Sequence, residues 1–252
     1  MWTSIRYIFL CALRDRLFTG LIAGIVIASL VAAMLGSAAV LEEKEMKLAF
    51  AAAASRLMVA VGVTVFVCFQ LRSAFDSREI DVMLSRPISR PQLALAFWMG
   101  FSAVATLIAM PVALALFLIT PMSWSGFFSW MASLVLESWL VVALALFAAL
   151  TLNSAVASVL ATLGFYVLSR MMAFFVMTAS TIAITGPLVS ACRYALAAIS
   201  MIMLRLDFFA KTEWLIYGLS APSEAALFVV QALIFLPLLL AACVVDFQRK
   251  QF

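Results

Sequence analysis

Long apolar segments constrain the fold of this chain more than any other feature of its sequence. Residues 18–40 carry no charged side chain, and residues 127–150 carry only Glu137. A helix needs about 20 apolar residues to cross the roughly 30 Å hydrocarbon core of a bilayer, and both segments exceed that length. They predict transmembrane α-helices and exclude a barrel, whose strands are short and alternate between apolar and polar residues.

The composition agrees with an integral membrane protein. Of the 252 residues, 67% are hydrophobic and 11% are charged, and the mean hydropathy is +1.20. Soluble domains are nearer one half apolar and about one quarter charged. The net charge of +4 is therefore interpreted as a signal for orientation in the membrane, with lipids rather than nucleic acid as the surroundings.

The whole chain, residues 1–252, is predicted to be one all-α transmembrane domain with six spans. An amphipathic helix over residues 1–17 mixes aromatic and basic side chains, which suits the membrane interface. A charged segment, 72–92, separates the second and third spans. Residues 176–222 mix apolar sequence with scattered charges, which predicts re-entrant or interfacial helices on the extracytoplasmic side. The predicted spans are 18–40, 48–71, 93–119, 127–150, 155–175 and 225–245.

Six spans place both termini on the same side of the membrane. Lys and Arg residues are in modest excess on that side, and cytoplasmic flanks carry the basic excess in membrane proteins. Both termini are therefore predicted to be cytoplasmic. The connection 151–154 is very short, which predicts that the spans on either side of it are antiparallel neighbours.

The 72–92 segment is the longest dense run of charge between two apolar segments. Up to Ser85 it predicts a short amphipathic helix, in which Phe75 shares one stripe with Leu71, and Pro87 ends the helix. Two interpretations stay open: a surface held by a soluble partner, or a solvated loop that only joins two spans. The charged residues of the segment are Arg72, Asp76, Arg78, Glu79, Asp81, Arg86 and Arg90.

Several kinds of chemistry have no basis in this sequence. It contains no histidine, which removes imidazole metal ligands and a Ser-His-Asp triad. It contains no P-loop, so it has no such motif with which to bind ATP. The four cysteines are scattered without C-x-x-C spacing and are interpreted as packing residues. We expect no catalytic residue, metal or cofactor in this chain.

Charged residues inside apolar sequence are the remaining candidates. Glu137 interrupts the fourth span, and an intramembrane carboxylate indicates a substrate contact, a proton site or a partner for a basic group. The simpler alternative is that Glu137 meets lipid headgroups or accepts a bond from Ser133, Ser138 or Trp139. Arg56 is expected to reach lipid headgroups. Arg170 and Arg193 are expected to meet anionic headgroups, and an anionic substrate is the alternative for both.

The sequence SREIDVMLSRPISR, residues 77–90, resembles the cytoplasmic segment after the second span of ABC type-2 exporter permeases, which have the type V fold. The branch it resembles most includes the permease of the nitrous-oxide-reductase maturation system. Residues 205–218, ahead of the last span, are similar to that family as well. The glycine often found early in the family's coupling segment is absent here.

The resemblance implies a permease subunit of an ATP-driven exporter in a bacterial cytoplasmic (inner) membrane. Two such chains, as a homodimer, would work with two copies of a separate ABC ATPase subunit, which binds the ATP and Mg. The 72–92 segment would be the coupling element, with Phe75 as an apolar plug. The charged contacts with the ATPase would be made by Asp76, Arg78, Glu79 and Asp81 of this chain.

Three other functions compete with the exporter permease. The first is a proton-coupled secondary transporter that uses Glu137, against which stand the short chain and the lack of paired intramembrane acids. The second is a membrane enzyme, for which the sequence offers no catalytic constellation. The third is an assembly subunit that binds an ATPase and transports nothing.

Overall fold

The computed structural model describes residues 43–77, 89–119, 123–181, 187–218 and 222–249, together with single helical positions among residues 9–34. No strand occurs among these residues, which agrees with the predicted all-α class. The predicted helix 1–17 and the span 18–40 fall almost entirely outside the described residues. The helices are α1 Glu43–Asp76, α2 Arg90–Ile119, α3 Trp124–Thr151, α4 Ala155–Arg170, α5 Met172–Thr181, α6 Pro187–Ile202, α7 Glu213–Tyr217 and α8 Pro222–Arg249.

Four of these helices, α1, α2, α3 and α8, are long and apolar enough to cross a membrane. They contain the predicted spans 48–71, 93–119, 127–150 and 225–245. A fifth span results if α4 and the start of α5 are counted together, although the two are bent by 42°. The protein is thus membrane-embedded by the length and composition of its helices, and the count of six spans stays a prediction.

The predicted fifth span, 155–175, is bent in the structure. Ser154 caps the start of α4 by accepting a hydrogen bond from the backbone N–H of Ala157, and α4 ends at Arg170. Met171 follows with ψ near zero, and the chain changes direction there before α5 begins. Inside the predicted re-entrant region 176–222 the chain forms α6, a 3-10 turn (Leu206–Phe208) and α7. Its placement in the membrane stays a prediction.

α3 is the central helix of the bundle, and it contacts α1, α2, α4, α7 and α8. Alanines on several of its faces let these neighbours approach closely. Its pairing with α4 is antiparallel, because Ser158 bonds to the carbonyl of Ala148 whereas the later residue Tyr166 bonds to the earlier residue Glu137. This confirms the prediction from the short 151–154 connection.

The buried side chains form two cores along the bundle. The first core joins the last half of α1 to most of α2 and to the ends of α3 and α8, and it includes Phe66, Phe101 and Phe247. The second core joins the first half of α1 to the first half of α3, with residues from α4 and α8. We refer to them below by these two names.

The chain between α6 and α8 packs against the second core. This stretch, the 203–218 segment, contains the 3-10 turn and α7, and it buries Leu206, Phe209 and Trp214. Its contact with α3 is close enough to require glycine at position 126, where a Cβ atom would lie 1.9 Å from the carbonyl oxygen of Trp214. The 203–218 segment is therefore part of the folded bundle.

Candidate functional site

A buried carboxylate lies near the middle of the central helix. Glu137 occupies the fourteenth position of the 28-residue α3, and only 2% of it is exposed. The hydroxyl of Tyr166 donates to its Oε1 atom over 2.9 Å, and Nη1 of Arg170 lies 3.5 Å from the same oxygen. Both partners lie on α4, which places them opposite Glu137 because α3 and α4 are antiparallel.

Arg170 connects this carboxylate to the 203–218 segment. Its Nη1 atom also donates to the backbone carbonyls of Leu206, over 2.5 Å, and Phe209, over 3.0 Å. The two N–H groups of Nη1 can serve the two carbonyls, and the Glu137 carboxylate, 3.5 Å away, lies within ion-pair distance of the same nitrogen. Arg170 therefore holds the Phe209 carbonyl, and it bonds to the Leu206 carbonyl, which also accepts from the N–H of Phe209.

Arg56 makes the equivalent link from α1. It donates to the carbonyl of Ala210, whose own N–H donates to Oγ of Ser133 over 2.9 Å. Ala210 is fully buried and has φ of 45°, a left-handed conformation that costs energy for a residue with a Cβ atom. The bonds from α1 and α3 hold both backbone groups of this residue.

The second oxygen of Glu137 has no hydrogen-bond partner among the described residues. This Oε2 atom is buried, and Glu137 lines a narrow crevice between α1 and α3 together with Arg56 and Ser138. The crevice has room for about one water molecule. Two guanidinium groups and one carboxylate thus meet inside the bundle.

The start of the 203–218 segment is fixed by a second polar group. Arg205 forms two hydrogen bonds with Asp207, over 3.2 and 2.8 Å, and its guanidinium lies 4.3 Å from the centre of the Phe208 ring. The side-chain amide of Gln231, on α8, can be oriented to bond both the N–H and the carbonyl of Arg205. Side chains from α1, α3, α4 and α8 therefore all hold this segment.

The structure places two of the predicted coupling residues and leaves three outside the described residues. Phe75 and Asp76 lie in the last turn of α1, which continues without a break from the predicted second span. The Phe75 side chain is half-buried against the first core, and Asp76 is exposed and paired with Arg72 over 3.1 Å. Arg78, Glu79 and Asp81 fall outside the described residues.

Sequence reasoning identified Glu137 but missed its partners. Ser133 and Ser138 bond to carbonyls of their own helix, and the indole of Trp139 bonds to Thr106, so none of the three expected donors serves Glu137. The prediction that Arg56 and Arg170 reach headgroups is wrong, since their guanidinium groups bond to the 203–218 segment. Arg193 lies half-buried on α6. A charged residue inside an apolar helix was the available signal for both arginines.

The chemistry of this site is hydrogen bonding and ion pairing. In the part of the chain that the structure describes, no group of three or more His, Cys, Asp and Glu side chains could hold a metal ion. No family model matches the sequence, and no curated protein is significantly similar to it. Its function must therefore be argued from its own residues.

Proposed function

We propose that this chain is the permease subunit of an ATP-driven exporter of the ABC type, powered by a separate ATPase subunit. The observation that carries the proposal is the length of α1. Its 34 residues extend over about 51 Å, whereas the hydrocarbon core is about 30 Å thick. The helix therefore continues beyond the bilayer at one or both ends, and its last turn leads directly into the charged run 77–90.

The packing of α1 supports a role in transmitting force. Leu71 is buried in the first core, and Phe75 packs against the same core one turn later. Deeper in the bundle, the rings of Phe66 and Phe101 meet edge to face with their centres 5.9 Å apart. A displacement applied near Asp76 would therefore move α1 together with α2, because close-packed helices shift as units rather than deform.

In this proposal the ATP and Mg are bound by two copies of the partner ATPase, and two copies of this chain form the pathway. Closure of the ATPase pair on nucleotide would displace the 72–92 segment of each permease. The energy available at the membrane equals the difference in nucleotide affinity between the two arrangements, so the segment must stay docked in both. Phe75 would supply the apolar contact, and Asp76, Arg78, Glu79 and Asp81 would supply the polar ones.

A double charge reversal, Glu79→Lys with Asp81→Lys, tests the proposal. In vesicles that contain the permease and its ATPase, we expect nucleotide hydrolysis and transport to become uncoupled, with transport reduced about tenfold or more, because two charge-assisted contacts become repulsive. The matched control is Glu213→Lys, which reverses the charge of an exposed acid on α7, outside the 72–92 segment. Unchanged transport and unchanged recovery of the ATPase with the double variant would contradict the proposal.

A proton-coupled transporter is the second candidate, and the buried, unpartnered Oε2 atom of Glu137 is the observation that favours it. Against it, Arg170 already provides a counter-charge, so a cycle of proton uptake and release at Glu137 would repeatedly leave that guanidinium unpaired. Transport driven by a pH gradient in vesicles without any ATPase, abolished by Glu137→Gln, would favour this candidate over the exporter.

A further inference from the structure

The 203–218 segment contains backbone groups without intrahelical hydrogen bonds, whereas the long helices satisfy most of theirs internally. The Nη1 atom of Arg170 lies within 3.5 Å of both Glu137 and the carbonyl of Leu206, so the segment reaches the level of the middle of α3. Water is scarce at that depth, and backbone groups outside a helix need protein partners. Arg56 and Arg170 supply these partners to the carbonyls of Ala210 and Phe209, and Arg170 also bonds to the Leu206 carbonyl at the start of the 3-10 turn.

These bonds belong to helices that the proposed function sets in motion. Arg56 and Asp76 lie 20 positions apart on the unbroken α1, a separation of about 30 Å along the helix axis. The last turn of α1 thus carries the start of the predicted coupling segment, and the first half of the same helix carries the guanidinium that holds Ala210. α4 carries Arg170 and is packed against both α1 and α3.

We propose that Arg56 and Arg170 are positioning residues that lock the 203–218 segment to α1 and α4, so that the segment moves with the coupling end of α1 as one body. The lock consists of bonds from side chains to backbone carbonyls, so it depends on donor geometry and not on the sequence of the segment. The link to transport rests on the proposed function. The lock itself is a property of this chain alone.

Spin labels on this chain alone test the lock. Ser73 and Tyr217 are exposed, at the coupling end of α1 and on α7, and can carry nitroxides after Cys11 and Cys192 are replaced by serine. Double electron–electron resonance in lipid nanodiscs should give one narrow distance distribution. Arg56→Met and Arg170→Met, which remove the donors at similar side-chain length, should each widen it at least about twofold.

The matched control is Arg90→Met, which removes an arginine that bonds to the carbonyl of Gln248 and not to the 203–218 segment. It should leave the distribution unchanged. Arg56→Lys keeps the charge but loses the planar fork, so we expect an intermediate width. Unchanged widths in both Arg56→Met and Arg170→Met would overturn the proposal.

Hydrogen exchange separates loss of the lock from loss of the fold. The N–H of Ala210 bonds to Ser133, and its exchange in Arg56→Met should be at least about tenfold faster while amides in the middle of α3 keep their protection. Equal acceleration in α3 would mean general destabilisation and would overturn a positioning role. A variant that cannot be isolated is replaced by Arg56→Lys, for which the same two outcomes decide.

The last measurement separates this inference from the proposed function. If the wild-type chain binds no ATPase, the proposed function fails. The label distances still show whether Arg56 and Arg170 hold the 203–218 segment to α1 and α4. If the ATPase binds and drives transport, Arg56→Met should reduce transport per ATP hydrolysed at least about fivefold while ATPase recovery stays unchanged. Full transport by that variant would overturn the coupling role of the lock.

Discussion

The two cores of this protein solve the same packing problem with different chemistry. The first core joins long helices through aliphatic and aromatic side chains, including the edge-to-face rings of Phe66 and Phe101. The second core contains, beside its apolar residues, the cluster of Arg56, Glu137, Tyr166 and Arg170. We infer that the difference arises from the backbone that each core covers.

Regular helices satisfy their own N–H and carbonyl groups, so a core between them needs only shape complementarity. The second core also encloses the 203–218 segment, which has a 3-10 turn and a left-handed alanine instead of a long helix. Charged side chains inside a membrane protein are expensive. They are retained here where irregular backbone needs donors that the backbones of the neighbouring helices do not offer.

Of the four substitutions that compare the two cores, Arg170→Met should lower the free energy of unfolding most. The substitution leaves Glu137 buried without its counter-charge and removes the donor to the Phe209 carbonyl, and breaking a buried pair in this way costs about 3–5 kcal/mol. Chemical unfolding in detergent micelles measures the loss. The double variant Arg170→Met/Glu137→Gln should recover part of it, because it removes the orphaned charge.

The control for Arg170→Met is Arg72→Met, which breaks the exposed ion pair with Asp76. Exposed pairs contribute about 0–1 kcal/mol, so its stability should stay near that of the wild type. Equal losses in both variants would show that burial of the Arg170 pair has no special energetic weight.

Gly126→Ala should cause the second-largest loss of stability, because it disrupts the close contact between α3 and α7. The added Cβ atom would overlap the backbone of Trp214, and overpacking of this kind costs about 1–3 kcal/mol. Gly164→Ala is the matched control, because a Cβ atom at Gly164 of α4 meets nothing within 4 Å. That control should gain about 0.5–1 kcal/mol of helix stability. If both substitutions stabilise the protein, the close approach at Gly126 is absent.

Phe101→Ala tests the first core, and its cost should be smaller than the same truncation causes in a soluble protein. In lipid the apolar transfer term largely disappears and the lost packing remains, so we expect roughly 1–2 kcal/mol. Hydrogen exchange in the 203–218 segment should stay unchanged, because Phe101 belongs to the other core. Faster exchange there would mean that the two cores are not independent.

Ser133→Ala should cause the smallest loss of stability of the four substitutions. It removes the acceptor for the N–H of Ala210, and an unsatisfied buried donor costs about 1–3 kcal/mol, with relaxation placing this case near the lower end. The exchange rate of that amide is the direct measure. Ser138→Ala serves as the control, because its hydroxyl bonds only to the carbonyl of Val135 in its own helix. A slower or unchanged rate at Ala210 would contradict the assigned bond.

The sequence predicted the long helices well because their apolar length is a local property. The predicted spans 48–71, 93–119, 127–150 and 225–245 all lie inside observed helices. It also identified Glu137, since a carboxylate in an apolar run is visible without any structure. It did not anticipate the bend after Arg170, where α4 and α5 meet at 42°.

The partners of the buried charges could not be predicted from sequence. Arg56 and Arg170 are separated by 114 positions along the chain, and each bonds to carbonyls more than 30 residues further on. A long arginine near the end of an apolar segment can reach either headgroups or protein, and local sequence does not distinguish the two. The choice depends on which backbone the fold brings within reach.

The sequence by itself determined that this protein lies in a membrane, that it is helical and that its longest charged run, 72–92, separates two apolar segments. Apolar length decides these properties, because each helix satisfies its own backbone bonds wherever its neighbours lie. Only the tertiary structure decided that Arg56 and Arg170 turn inward and that Glu137 pairs with α4. Those contacts depend on carbonyls of a distant, irregular segment, and such groups acquire a position only when the helices have packed.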